Sequence, residues 1–171
     1  MTGEYGTVLG VWAHPDDETY LSAGLMASAV DAGERVVCVT ATRGEEGSFD
    51  EERWPSDRMG RIREGELLRC LEILGVTDHR WLDMHDGTLP TEDASSAVDR
   101  IFMEPGTPPV TPASDLEIEL RLSPDALERK VRAVEQHVSQ VEPMTAMLGR
   151  RVLFDSQDGE YFRLAARKDP V

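Results

Sequence analysis

The chain has 171 residues, enough for one domain with a substantial core. Its 18 Lys and Arg stand against 33 Asp and Glu, a formal net charge of −15. That field argues against nucleic acid or an anionic membrane as a partner and suits a metal ion or a neutral or cationic small molecule, although acidity also serves solubility alone.

Residues 1–6 contain no basic n-region, and the longest apolar run is far too short to span a bilayer, so a cytoplasmic protein is expected. Residues 7–12 read as a short, fully buried strand. Over 19–32, Leu21, Leu25, Met26 and Ala29 fall at helical spacing, and Gly33 stops the helix. Residues 35–42 form a second buried strand. Strand, helix and strand within this span make a βαβ unit and force a parallel pair.

A polar, glycine-bearing loop fills 43–56. Ser56 or Asp57 caps the next helix, whose buried stripe is Ile62, Leu67, Leu68, Leu71 and Leu74 and whose end is Gly75. A third strand spans 79–83, Asp86-Gly87 is a turn, and 92–101 forms a short helix. Pro105, Gly106, Pro108, Pro109 and Pro112 then exclude regular structure. The alternation at 116–122 predicts a half-exposed strand, and Ser123 or Asp125 caps a helix running to about 141. In the tail, 161–164 is the segment expected to dock. Cys38 and Cys70 sit in apolar segments and read as buried free thiols of a reducing compartment.

The chemistry concentrates in Ala13-His14-Pro15-Asp16-Asp17-Glu18, directly after the first strand. Open α/β sheets bind their ligands at that end. His14 and Asp17, three residues apart on a strand-to-helix turn, offer an imidazole nitrogen and a carboxylate oxygen to one cation, and that pairing suits zinc. Asp16 between them is placed to act as general base toward a water whose pKa zinc lowers. The plainer reading makes these carboxylates a helix cap, which the helix dipole also favours. The first βα turn lacks the Gly-x-Gly-x-x-Gly of a nucleotide-binding module.

This hexapeptide resembles the signature of the PIG-L/LmbE-like family of zinc-dependent N-deacetylases. Further matches are Thr42-Arg43-Gly44-Glu45-Glu46-Gly47, Arg63-Glu64-Gly65-Glu66, Leu82-Asp83 with Asp86-Gly87, His137-Val138-Ser139-Gln140 and Glu160-Tyr161-Phe162-Arg163-Leu164. The resemblance implies an α/β, Rossmann-like three-layer sandwich with a mostly parallel sheet. It implies a Zn2+ cofactor, His14 and Asp17 as metal ligands, Asp16 as general base, and removal of an N-acetyl group from an amino sugar conjugate. Arg63 and Asp86 fall in motifs whose polar side chains are expected near the sugar, as a donor fork and an acceptor. For Arg63 the competing reading is an ion pair within its own helix to Glu64 or Glu66. Trp12 and Trp81 read as core rather than as sugar platforms.

The family's second histidine motif, which carries the third ligand, has no counterpart between the third strand and the Pro-rich stretch. A single domain over 1–171 is therefore expected, lacking a central-to-late segment, with a deletion junction near 101–102. His85 is the candidate replacement ligand, His79 is placed on a solvated turn, and His137 in a structural hydrogen bond. The alternative to a deacetylase is a catalytically defective member that binds metal or sugar weakly. Neither reading fixes the oligomeric state.

Overall fold

The computed structural model describes residues 6–87, 112, 114, 116–154 and 157–162. The βαβ unit is present. Strands β1 (Val8–Trp12), β2 (Val36–Thr40) and β3 (Asp78–Trp81) form a parallel sheet in the order β1-β2-β3. Helix α1 (Asp17–Asp31) joins the first pair and α2 (Ser56–Leu74) the second. All three strands therefore end on the same side, which brings the loops at 13–16, 41–55 and 82–87 together.

The core lies on one face of this sheet. Ala23, Met26, Ala27 and Ala29 of α1 and Leu67, Cys70, Leu71 and Leu74 of α2 pack against Val36 and Cys38 of β2, with Trp12 and Trp81 at the margin. Burying one such leucine stabilises the fold by about 2 kcal/mol. Helix α3 (Pro124–Val134) covers α1 and α2 and adds Ala133 to the same cluster. On the opposite face of β1, Leu9 and Val11 are 63% and 60% exposed.

The helix stripes differ from the periodic reading. Leu21 is 60% exposed and Leu68 50%. Met26 and Ala29 are buried as expected, but the buried face of α1 also holds Glu18, Thr19, Ser22, Ala23, Gly24 and Ala27, and that of α2 includes Arg63 and Glu66. Several of these interior polar side chains meet hydrogen-bond partners, Glu18 with Thr19, Glu66 with Ser139 and Arg63 with the Pro15 and Gly44 carbonyls, which a count of apolar residues does not register. The residue before α2 is Pro55, with no side-chain cap, and Gly75 ends the helix in the left-handed region as expected.

Strand β4 (Ile118–Arg121) pairs antiparallel with β5 (Gly159–Phe162), so the tail docks where its sequence indicated. The Ser123 hydroxyl accepts the Ala126 N–H and caps α3. The helix expected to run on to 141 breaks at residues 135–137 and restarts as α4 (Val138–Leu148), followed by α5 (Arg150–Phe154). The break has a physical reason: the Glu66 carboxylate takes the Ser139 N–H at 2.8 Å and the Ser139 hydroxyl at 2.7 Å. A buried anion thus receives the opening turn of α4, where the helix dipole favours it. The expected helix at 92–101, the junction near 101–102, and Arg163 and Leu164 lie outside the described residues. No helix of the described residues is long and apolar enough to cross a membrane.

Candidate active site

Beyond β1 the chain turns through Ala13, His14 and Pro15 into α1. The turn is anchored from β2: Thr42 donates both its N–H and its hydroxyl to the Ala13 carbonyl, at 3.0 and 3.1 Å. Asp16 has φ 109° and ψ −33°, a conformation that non-glycine residues rarely adopt and that persists only where surroundings impose it. They do so here. The Asp16 N–H donates to Glu18 Oε2 at 3.0 Å, and its carbonyl accepts the N–H groups of Thr19 and Tyr20.

Arg63 reaches in from α2 beneath this turn. Its guanidinium donates to the Pro15 carbonyl at 2.5 Å and the Gly44 carbonyl at 3.2 Å, and lies 3.3 Å from Asp16 Oδ2. A Cβ at Gly44 or Gly47 would lie 2.2 or 2.4 Å from Arg63 Nη1. The two glycines of the loop after β2 therefore make the slot that the guanidinium fills. Burial pushes the Asp16 carboxyl up to about 6, against the opposing pull of Arg63. A carboxylate poised in that range suits proton transfer near neutral pH. The helix-internal ion pair considered for Arg63 does not form: Glu66 bonds Ser139, and Glu64 pairs with Arg43.

His14 lies between two carboxylates. Its N–H donates to Asp17 Oδ2 at 3.0 Å, and its Nδ1 lies 3.7 Å from the same oxygen. Its Nε2 is 3.0 Å from Asp86 Oδ1. The hydrogen bond to Asp86 raises the His14 pKa, and the same bond lowers Asp86 to about 2. The His14 and Asp17 side chains are 37% and 36% exposed, side by side at the end of β1.

The other histidines divide clearly. His79 is not on a solvated turn; it lies in β3, half-buried, with Nε2 at 3.1 Å from the Thr40 hydroxyl and its ring edge-on to Trp81. His85 is exposed and its Nδ1 donates to the Asp86 carbonyl at 2.7 Å. His137 makes the structural contacts expected of it, in a fully buried group with Glu18, Thr19 and Cys70. Although burial opposes ionisation, hydrogen bonds from His137 and Thr19 hold the Glu18 carboxyl below its usual range. The Cys70 thiol is pushed well up by burial, and Cys38 is raised to about 12. Both cysteines are free thiols.

Sequence reasoning missed that Glu18, Cys70 and His137 come together, with ligand atoms within 4.8 Å of one another. A nitrogen, a thiol sulfur and a carboxylate oxygen form a donor set that zinc accepts. The Thr19 hydroxyl, however, already stands among them, 2.5 Å from Glu18 Oε1, 2.9 Å from Cys70 Sγ and 3.0 Å from His137 Nε2. The periodicity of α2 marks Cys70 as buried, but no local spacing links residues so far apart in the chain.

A parallel sheet whose strand ends converge on a His/Asp cluster defines an α/β protein with its reactive groups at the carboxyl edge. The family model described as GlcNAc-PI de-N-acetylase (PIG-L) matches residues 9–140, and the chain belongs to that family. A 1D-myo-inositol 2-acetamido-2-deoxy-alpha-D-glucopyranoside deacetylase of Kineococcus radiotolerans is 39% identical over 102 residues, covering 58% of this chain and 27% of the relative. A probable N-acetyl-alpha-D-glucosaminyl L-malate deacetylase 2 of Bacillus cereus is 35% identical over 96 residues, covering 55% and 44%. The chain thus spans less than half the length of these curated relatives. The solved N,N'-diacetylchitobiose deacetylase of Pyrococcus horikoshii aligns with a TM-score of 0.63 at 20% identity, over 92% of this chain and 82% of that one. At that identity the likeness is one of fold.

Proposed function

We propose that this protein is a metal-dependent hydrolase that removes the N-acetyl group from an N-acetylglucosamine-type conjugate. The observation that carries the reading is the part-exposed His14–Asp17 pair beside the half-buried, Arg63-clamped Asp16, in a chain whose curated relatives are named as deacetylases. Those relatives weigh against a chain that only binds.

His14 and Asp17 fit zinc by donor type, and they are open to water and substrate as the fully buried Glu18–Cys70–His137 group is not. Among the described residues no third donor joins them in such a group, so zinc is expected to be held less tightly than by a three-ligand site. Bound there, zinc supplies a Lewis acid that polarises the amide carbonyl and favours hydroxide near neutral pH.

The chain's own work centres on Asp16. Its carboxylate takes the proton of the water whose oxygen attacks the acetamide carbonyl, and returns a proton to the nitrogen as the C–N bond breaks. Acetate and a free amine are the products. Arg63, committed to Pro15, Gly44 and Asp16, holds that carboxylate in place. Two buried free thiols support a cytoplasmic setting.

The test is acetate release from inositol- and malate-linked N-acetylglucosamine, with zinc in excess and with a chelator. Zinc-dependent release with an equal yield of free amine is expected. No release from either conjugate in zinc sinks the reading.

A further inference from the structure

We infer that Asp86 is a positioning residue, whose carboxylate holds His14 Nε2 so that Nδ1 turns to Asp17 as the ring's ligand atom. The inference rests on the metal-dependent reading above and gives Asp86 a task other than contacting the sugar.

An imidazole can offer a lone pair to a cation from only one of its nitrogens, and the partner of the other nitrogen decides which. An ionised carboxylate can only accept. With Asp86 Oδ1 3.0 Å from Nε2, that nitrogen carries the hydrogen and Nδ1 carries the lone pair. Nδ1 then faces Asp17 Oδ2 across 3.7 Å, too far for a hydrogen bond. The His14 N–H donates to that same oxygen at 3.0 Å, which fixes the two donors relative to each other. Carboxylate, imidazole and cation in sequence is the arrangement by which proteins set the tautomer of a metal-binding histidine.

Asp86 is itself tightly held. Its Oδ1 also accepts the Gly87 N–H at 2.9 Å, its Oδ2 accepts the Glu46 N–H at 3.2 Å, and its own N–H donates to Glu45 Oε2 at 3.3 Å. The side chain is 13% exposed. Three donors on two oxygens leave little capacity for sugar hydroxyls. They also tie the loops after β2 and β3 to the end of β1. The glutamates of the Gly44-Glu45-Glu46-Gly47 stretch thus act through the backbone and side-chain contacts that fix Asp86.

Two readouts test this, using Asp86→Ala and the conservative Asp86→Asn, whose amide oxygen can still accept from Nε2. In the metal-free protein, imidazole ¹⁵N NMR at a pH where His14 is neutral should show the Nε2–H tautomer in wild type. That tautomer should be lost in Asp86→Ala and retained at least in part in Asp86→Asn. Cobalt(II) titration should show affinity falling about 10- to 100-fold in Asp86→Ala, with a smaller loss in Asp86→Asn and the KM for the conjugate little changed. An Nδ1–H tautomer in wild type overturns the inference. So does Asp86→Ala with unchanged metal affinity and a raised KM, which is the signature of a sugar contact. A wild type that binds no metal overturns the functional reading and this one with it; metal binding by wild type that Asp86→Ala leaves intact overturns this one alone.

Discussion

Asp16→Asn is expected to lower turnover by about 100- to 10,000-fold while zinc uptake and the melting transition are kept, the range that general-base catalysis covers. The substitution changes one atom and removes the ability to take a proton. Asn is among the few residues that tolerate positive φ, so the strained turn at φ 109° should survive it. The amide oxygen can still accept from the Arg63 guanidinium, which lies 3.3 Å from Asp16 Oδ2. The loss should therefore fall on kcat rather than on KM, read by acetate release under saturating conjugate and zinc. Full activity in Asp16→Asn removes the base from the account and leaves Asp16 as a structural member of the turn.

The largest stability effect is expected where β5 meets α1 and α3. Glu160, brought in on β5, meets Lys130 of α3 at 2.9 Å, each side chain 1% exposed. The carboxylate also accepts the Gly24 and Leu25 N–H groups of α1 at 2.7 and 2.8 Å, while Lys130 donates to the Tyr20 carbonyl at 3.0 Å. This closed network ties β5 to α1 and α3. Glu160→Ala leaves the ammonium buried without its counter-charge and strips the backbone amides of an acceptor. Destabilisation by about 3–5 kcal/mol should follow, measured by urea unfolding. The double variant Lys130→Met/Glu160→Leu should recover much of that loss, since two apolar side chains do not need each other. A loss below about 1 kcal/mol in Glu160→Ala would place this pair with ordinary surface ion pairs.

The elements legible in the sequence were those with local causes. Val36, Cys38 and Thr40 bury one face of β2, Gly75 stops α2 in the left-handed region, and Ser123 caps α3. The motif's position at the end of β1 was legible for the same reason, because strand and motif are contiguous. What escaped was set by partners distant in the chain. Leu21 lies outside because the interior face of α1 is centred on Thr19, Ser22, Ala23 and Met26, where Glu18 and Thr19 meet His137 across 118 residues in the case of Thr19. The break at 135–137 follows from Glu66, and no residue near it signals a stop. Arg63 is legible as a functional position, but its inward direction depends on the space left by Gly44 and Gly47. The second histidine motif is missing from the sequence itself, and His85 is occupied with the carbonyl of Asp86.

The most direct test of the central claim is the zinc content of the purified protein, compared with Asp17→Ala and Cys70→Ala. The account predicts about one zinc per chain in the wild type after exposure to zinc, loss of it in Asp17→Ala, and retention in Cys70→Ala. Zinc kept by Asp17→Ala and lost from Cys70→Ala would move the metal to the buried group around His137 and contradict the account.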